Sequence, residues 1–292
     1  MTKPYESPFK MRSITTAATM KKEIATEMKV TAAVKKREEW MSDGNKWDTI
    51  TPGRVPPTGI KYMVVDVETH DWKDGGPRNG RIVEMAWMVF DRDMKCLESK
   101  QYLLKPHGYD GIAQKATAVH GITTERAVDD GVDAQHVIDE FTAILNKLPS
   151  NGFVIAHNME HEDSIFKCNL NEEQQVLWRD APKCDTWNVK LLKFLPEQVL
   201  IKYYGGSKLQ WRKLGLKLSE LHRHISPDTH TSYATCAHHA CTDVDMTWEI
   251  FQYYMLHAPS ELLAWTNQSG GKSVKSMFYI RKKEVIDAKS RV

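Results

Sequence analysis

Three stretches of this 292-residue chain set carboxylates and histidines at spacings that suit metal-dependent chemistry. The first is Asp66-Val67-Glu68, at the end of an apolar run that begins at Ile60. On an extended strand the two acids share one face, about 7 Å apart along the chain. Carboxylates that close at the tip of a buried strand repel each other unless a cation lies between them. A hard divalent ion with oxygen ligands is the natural occupant. The second stretch is Ala156-His157-Asn158, followed by Glu162 and Asp163. The third is His238-His239-Ala240-Cys241-Thr242-Asp243, leading into an amphipathic segment with Trp248, Ile250, Phe251 and Tyr254 on its packing positions. His238 falls in the loop before that helix, and Asp243 about one turn inside it. Asp66 and Glu68 alone would read as solvated acids opening a loop; the three stretches in order change the balance.

The elements that must position these groups are legible from hydrophobic period and punctuation. Ile60 to Val67 is dense in Val, Ile, Tyr and Met and suits a buried central strand. A polar loop, Asp71 to Gly80, leads to a second strand over Arg81–Phe90, and Glu98–Lys105 forms a third, ended by Pro106. Short connections between them imply an antiparallel meander. His136–Leu148 places Val137, Phe141, Ile144, Leu145 and Leu148 on one helical face. A short strand over Phe153–Ala156, a helix after Asn158, a brief strand or turn at Cys184-Asp185-Thr186 and a Leu-rich helix from Trp187 follow. Leu209–Leu221 and Ala240–His257 are the last two helices. The order βββ-α-β-α-β-α-α is a mixed α/β layer. Upstream, residues 18–40 have helix-forming composition, with Met20, Ile24 and Met28 at four-residue steps. The Pro and Gly between Thr51 and Gly59 mark a linker. The chain therefore divides into an extension over 1–58, a body over 59–258 and a basic tail over 259–292.

Composition narrows the class. A 41% hydrophobic and 27% charged content is that of a globular chain with a substantial core. Collagen-like, wholly disordered and disulfide-rich scaffolds are excluded. Forty Lys and Arg against 38 Asp and Glu give a net charge of +2, so nucleic-acid contact would depend on local patches. Five cysteines at irregular spacing suit free thiols in a reducing, cytoplasmic setting, with the nucleus or mitochondrion as alternatives. No apolar run approaches the ~20 residues of a membrane span.

The chemistry-bearing segments resemble the DnaQ-like 3′–5′ exonucleases with a histidine in the last motif, the DEDDh class of the ribonuclease H-like fold. Arg81-Ile82-Val83-Glu84, Ala118-Val119-His120-Gly121-Ile122-Thr123 and Cys184-Asp185-Thr186 add to the likeness, which spans about residues 60–258. The resemblance implies a mixed five-stranded sheet flanked by helices. It implies two Mg²⁺ or Mn²⁺ ions held by Asp66, Glu68, Asp163 and Asp243, with His238 as general base. Thr69, His70, His120 and Asn158 would contact the substrate. That substrate would be DNA or RNA with a free, single-stranded 3′ end, shortened stepwise to nucleoside 5′-monophosphates. A silent binding module on the same fold is the alternative, but it should have lost a carboxylate, and none is missing.

This sequence departs from the family pattern in two places. Glu68 continues as Thr69-His70-Asp71-Trp72 rather than Thr-Thr-Gly. The usual four-residue step from Asn158 lands on Glu162, whereas a five-residue step selects Asp163; Asp163 is preferred here, with Glu162 as the alternative ligand. His239 is read as an ordinary histidine. The crowd of His222, His224, His230, Cys236, His238, His239 and Cys241 fits zinc spacings poorly. His70 and Trp72 could stack on a terminal base, the basic and aromatic tail could track a backbone, and the N-terminal helix could bind the body or a protein partner.

Overall fold

The computed structural model of the chain describes residues 17–42, 57–71, 80–187, 194, 217–234 and 238–258. Expectations that fall on Trp72, Cys236, residues 188–193, 209–216 and the tail from 259 lie outside these.

Five strands form one sheet: β1 (Tyr62–Thr69), β2 (Ile82–Phe90), β3 (Cys96–Leu103), β4 (Phe153–Ala156) and β5 (Lys183–Asp185), in the order β3-β2-β1-β4-β5. The β1–β2 and β2–β3 pairs are antiparallel, as the short connections require, while β4 joins β1 and β5 joins β4 in parallel. β1 is therefore central. Its run of apolar residues reflects cover on both faces, which a strand between helical layers needs.

Alternation along β1 sends Met63, Val65 and Val67 to one core and Tyr62 and Val64 to the other. The first core is closed by α4 (Ala134–Leu145), α5 (Met159–Asn169) and α6 (Glu172–Asp180). Phe141 stacks on Phe166 at 5.0 Å, and Phe166 meets Trp178 at 4.3 Å, so one aromatic column ties the three helices together. The second core is closed by α7 (Leu218–Ile225) and α9 (Ala240–His257), with α8 (Pro227–Ala234) beside α7. Phe90 of β2 stacks on Trp248 of α9 at 3.6 Å, which fixes α9 across β1 and β2. Two short helices, α2 (Gln114–His120) and α3 (Thr124–Asp130), precede α4. Sequence period did not separate these, because helices of seven residues barely complete two turns.

The N-terminal helix α1 (Ala17–Ser42) lies on α2. Its four-residue apolar spacing identified a helix but not the buried face. Ile24 and Met28 are exposed, and the docked part is the later turns around Ala33 and Arg37. Contact is closest at Gly121, the left-handed cap of α2 with φ +73°. A Cβ there would meet the Ala33 carbonyl oxygen at 2.5 Å. Gly121→Ala combines a positive φ with a backbone clash, and is expected to cost about 1–3 kcal/mol. Urea denaturation checks this, and a change under about 0.5 kcal/mol would argue against α1 docking as described.

Candidate active site

The sheet topology brings the acids together. β1, β4 and β5 run parallel, so their C-terminal ends open at one edge, where a ligand crevice forms in sheets of this kind. Asp66 and Glu68 end β1 on the face that carries Tyr62 and Val64, beneath α9. α5 leaves the end of β4 with Glu162 in its first turn, and α9 starts at the same edge with Asp243 in its first turn. Both helix starts present their positive dipole ends to the acids, which offsets part of the repulsion.

One carboxylate oxygen each from Glu68 and Asp243 and a ring nitrogen of His238 lie within 4.8 Å of one another, a spacing at which three groups can share one ion. The His238 backbone N–H donates to Asp243 Oδ1 at 3.4 Å. Glu162 is buried, and its Oε2 has no hydrogen-bond partner among the described residues. Burial, then the charges of Asp243, Glu162, Glu68 and Glu84, push Asp66 well above the usual carboxylate range. Glu68 rises for the same first reason, with Asp243 and Glu84 adding and Arg37 opposing. Glu162 is raised chiefly by burial, with Asp185, Asp163 and Asp243 adding. Asp243 is raised by burial to about 7, although the His238 N–H works against the shift. A buried, unpartnered carboxylate oxygen inside a cluster of raised acids fits a hard divalent cation, which would replace the held protons with positive charge.

Asp163 has partners of its own on the next helix and strand. The Trp178 indole donates to Asp163 Oδ1 at 2.8 Å, and Lys183 Nζ lies 3.8 Å from the same oxygen. Lys183 also sits over the Trp178 ring. Asp163 thus links α5 to α6 and β5, while Glu162, one residue earlier and about 100° around the helix, is close enough for its charge to act on Asp66. His120 is buried, its Nδ1 accepts from the Ile122 N–H at 3.0 Å, and its Nε2 faces the Thr69 carbonyl at 3.2 Å. Burial first, then Arg37, lowers it to about 4, so it stands as a neutral imidazole beneath Thr69. His70 Nδ1 accepts from the Arg81 N–H at 2.9 Å while its ring stacks on Tyr109. Thr69 is buried with its hydroxyl directed at the Asp71 carbonyl. Asn158 adopts a left-handed conformation (φ 77°) and donates its N–H to Asp185 Oδ1 at 2.9 Å.

His238 stands exposed at the mouth. Desolvation, then the charges of Lys36 and Lys217, lowers its pKa, so its ring is neutral and able to take a proton. His239 is buried, and burial and Arg37 hold it down to about 3. Two residues that sequence reasoning left without roles are Glu84 and Asp185. Asp185 also accepts from the Trp187 N–H at 2.8 Å and thereby anchors both chain segments that leave the parallel strands. Each lay inside a motif segment, but Arg37, the partner of Glu84, and Asn158, the partner of Asp185, come from far along the chain.

Comparison with known proteins places this geometry. The RNase_T family model, described as exonuclease, matches residues 63–251, more than half of the chain. No curated protein matches. Among solved structures, E. coli exonuclease I in complex with a dA16 oligonucleotide is 17% identical with TM-score 0.52, over 70% of this chain and 42% of that one. The zinc-bound form of the E. coli exonuclease I–single-stranded DNA complex is 17% identical with TM-score 0.53, over 72% and 43%. The chain therefore spans less than half the length of these similar structures. No described helix is long and apolar enough to cross a membrane. By its sheet, its acids and the family match, the chain belongs to the DnaQ-like 3′–5′ exonuclease family on a ribonuclease H-like fold.

Proposed function

We propose that the chain removes nucleotides one at a time from single-stranded 3′ ends, releasing nucleoside 5′-monophosphates, with two divalent ions and His238 as general base. The convergence of Asp66, Glu68, Glu162 and Asp243 beside the exposed His238 ring carries this reading. Glu68 and Asp243 would hold one ion on the His238 side, Glu162 the other, and Asp66 both. Bound ions of this kind neutralise the phosphate and favour both the attacking and the leaving oxygen. His238 accepts a proton from the attacking water at its free ring nitrogen as the new P–O bond forms and the bond to the 3′-oxygen breaks. Lys36 and Lys217, whose charges reach His238, favour the approach of a phosphate backbone. The oligonucleotides in the similar exonuclease I structures support single-stranded DNA as the first substrate to try, with RNA beside it.

With 5′-labelled single-stranded DNA and RNA, Mg²⁺ or Mn²⁺ is expected to give a ladder shortening from the 3′ end. EDTA and Asp66→Ala should abolish it. Intact substrates with folded protein would instead favour a binding module.

The two adjacent acids separate cleanly. Glu162→Gln should lower kcat more than about a hundredfold, and Asp163→Asn less than about tenfold, because only the first faces the reacting centre. The reverse order in steady-state kinetics would restore Asp163 as the ligand.

Metal binding should also displace protons. An acid whose pKa is raised in the folded state stabilises the fold while protonated, and that contribution is lost as pH rises through its folded value, about 7 for Asp243. A cation competes with those protons, so the rise in Tm on adding Mg²⁺ in place of EDTA should be small near pH ~5.5 and several degrees larger near pH ~8. The buried histidines His120 and His239 act equally with and without metal and cancel in the difference. An equal rise at both pH values would exclude the carboxylate cluster as the metal site.

A further inference from the structure

The most heavily bonded acid near the site is one that the proposed mechanism does not use. Glu84 of β2 lies directly opposite Glu68 of β1 in the antiparallel register, a like-charge pair that is unfavourable by itself. It is fully buried, yet held down to about 2: burial would raise it, but the charge and hydrogen bonds of Arg37 prevail. Arg37 is 2% exposed and comes from α1, outside the residues that the exonuclease family model matches. Its Nη1 donates to Glu84 Oε2 at 3.2 Å and to the His120 carbonyl at 3.1 Å, and its Nη2 pairs with Glu84 Oε1. Glu84 in turn accepts from Gln101 Nε2 at 2.7 Å and from the Ala240 N–H, the first residue of α9, at 3.1 Å. One guanidinium therefore reaches the strand opposite Glu68, the start of the helix that bears Asp243, and the end of α2 beneath Thr69.

We propose that Arg37 of the N-terminal helix is a positioning residue of the metal site, acting through Glu84 to fix the start of α9 and to keep the Glu84 carboxylate from competing with Glu68 as a ligand. The extension is thereby part of the active-site frame rather than a detachable appendage. This inference rests on the reading of Asp66, Glu68, Glu162 and Asp243 as metal ligands. The planar fork matters, because a lysine at this position cannot make the paired contact to one carboxylate.

The test uses the full-length chain with Arg37→Met, Arg37→Lys and the double variant Arg37→Met/Glu84→Gln. Three quantities are read: Mn²⁺ affinity by calorimetry, amide hydrogen exchange at Ala240–Asp243, and kcat against KM on an oligonucleotide. Arg37→Met should weaken Mn²⁺ binding roughly tenfold, speed exchange at those amides at least about tenfold, and lower kcat with KM within about twofold. Arg37→Lys should fall between. Glu84→Gln in the Arg37→Met background should restore Mn²⁺ affinity to within about threefold of the parent, because the amide oxygen still accepts from Ala240 and no buried charge is left unpaired. Parent-like binding and exchange in Arg37→Met would overturn the proposal. So would a loss that Glu84→Gln fails to relieve, which would make Arg37 a packing residue for α1 alone. If the parent itself binds no Mn²⁺, the exonuclease reading fails separately, and the exchange at Ala240–Asp243 still decides whether Arg37 holds the start of α9.

Discussion

Concentrating negative charge in a poorly solvated crevice is the constraint that the rest of this molecule answers to. Asp66, Glu68, Glu84, Glu162, Asp185 and Asp243 gather where three parallel strands end and two helices begin. Water would screen such a group; a two-layered core around a central apolar strand largely excludes it. The aromatic column of Phe141, Phe166 and Trp178 on one face and the Phe90–Trp248 stack on the other hold the acids against their mutual repulsion. Packing energy on both sides of the sheet thus sustains a site that would otherwise relax by spreading apart.

The acids divide by how that repulsion is met. Glu84 has Arg37, Asp163 has Lys183 and the Trp178 indole, and Asp185 has the N–H groups of Asn158 and Trp187. Among the described residues, no lysine or arginine lies within ion-pair distance of Asp66, Glu68, Glu162 or Asp243. These four keep raised pKa values, as Asp163 and Asp185 also do, so the partner rather than the pKa is what divides the acids. On the proposed reading, a permanent partner makes an acid structural, whereas its lack leaves one available for chemistry. The same criterion separates the neighbours Glu162 and Asp163, which composition alone cannot.

Much of this was legible in the chain. β1 announced itself by an apolar run, Asp66 and Glu68 by the period of two, and His238 and Asp243 by their place before an amphipathic helix. What stayed hidden depended on partners far along the sequence. Spacing preferred Asp163 to Glu162 as a ligand, and no local pattern reported its contacts with Trp178 and Lys183 on the next helix and strand. His120 read as a polar contact, but its burial beneath Thr69 follows from how α2 meets β1. Arg37 sits among Lys35, Lys36, Glu38 and Glu39, a run that reads as a solvated helix face. Helical phase turns only Arg37 inward, and no local pattern reports that Glu84 waits there. Residues that carry charge to the site were visible; residues that balance it were not.

Backbone conformation solves the aiming problem in the same way at two of the proposed ligands. The positive-φ residues other than glycine are Met94, Asn158 and His238 among those described. Met94 lies in the turn between β2 and β3, but the other two stand just before helices at the site. Asn158 turns the chain from β4 into α5, so that Glu162 falls in the first turn. His238 turns it into α9, with Asp243 in the first turn and its own N–H directed back at that carboxylate. Asparagine and histidine tolerate the left-handed region better than β-branched residues do, yet each still costs conformational energy. That energy is recovered only if the helix that follows starts at the right angle, and the Glu84 and Asp185 carboxylates, by accepting the N–H groups of Ala240 and Asn158, set those angles. On the proposed reading, Glu84 and Asp185 thereby help to set where Glu162 and Asp243 point.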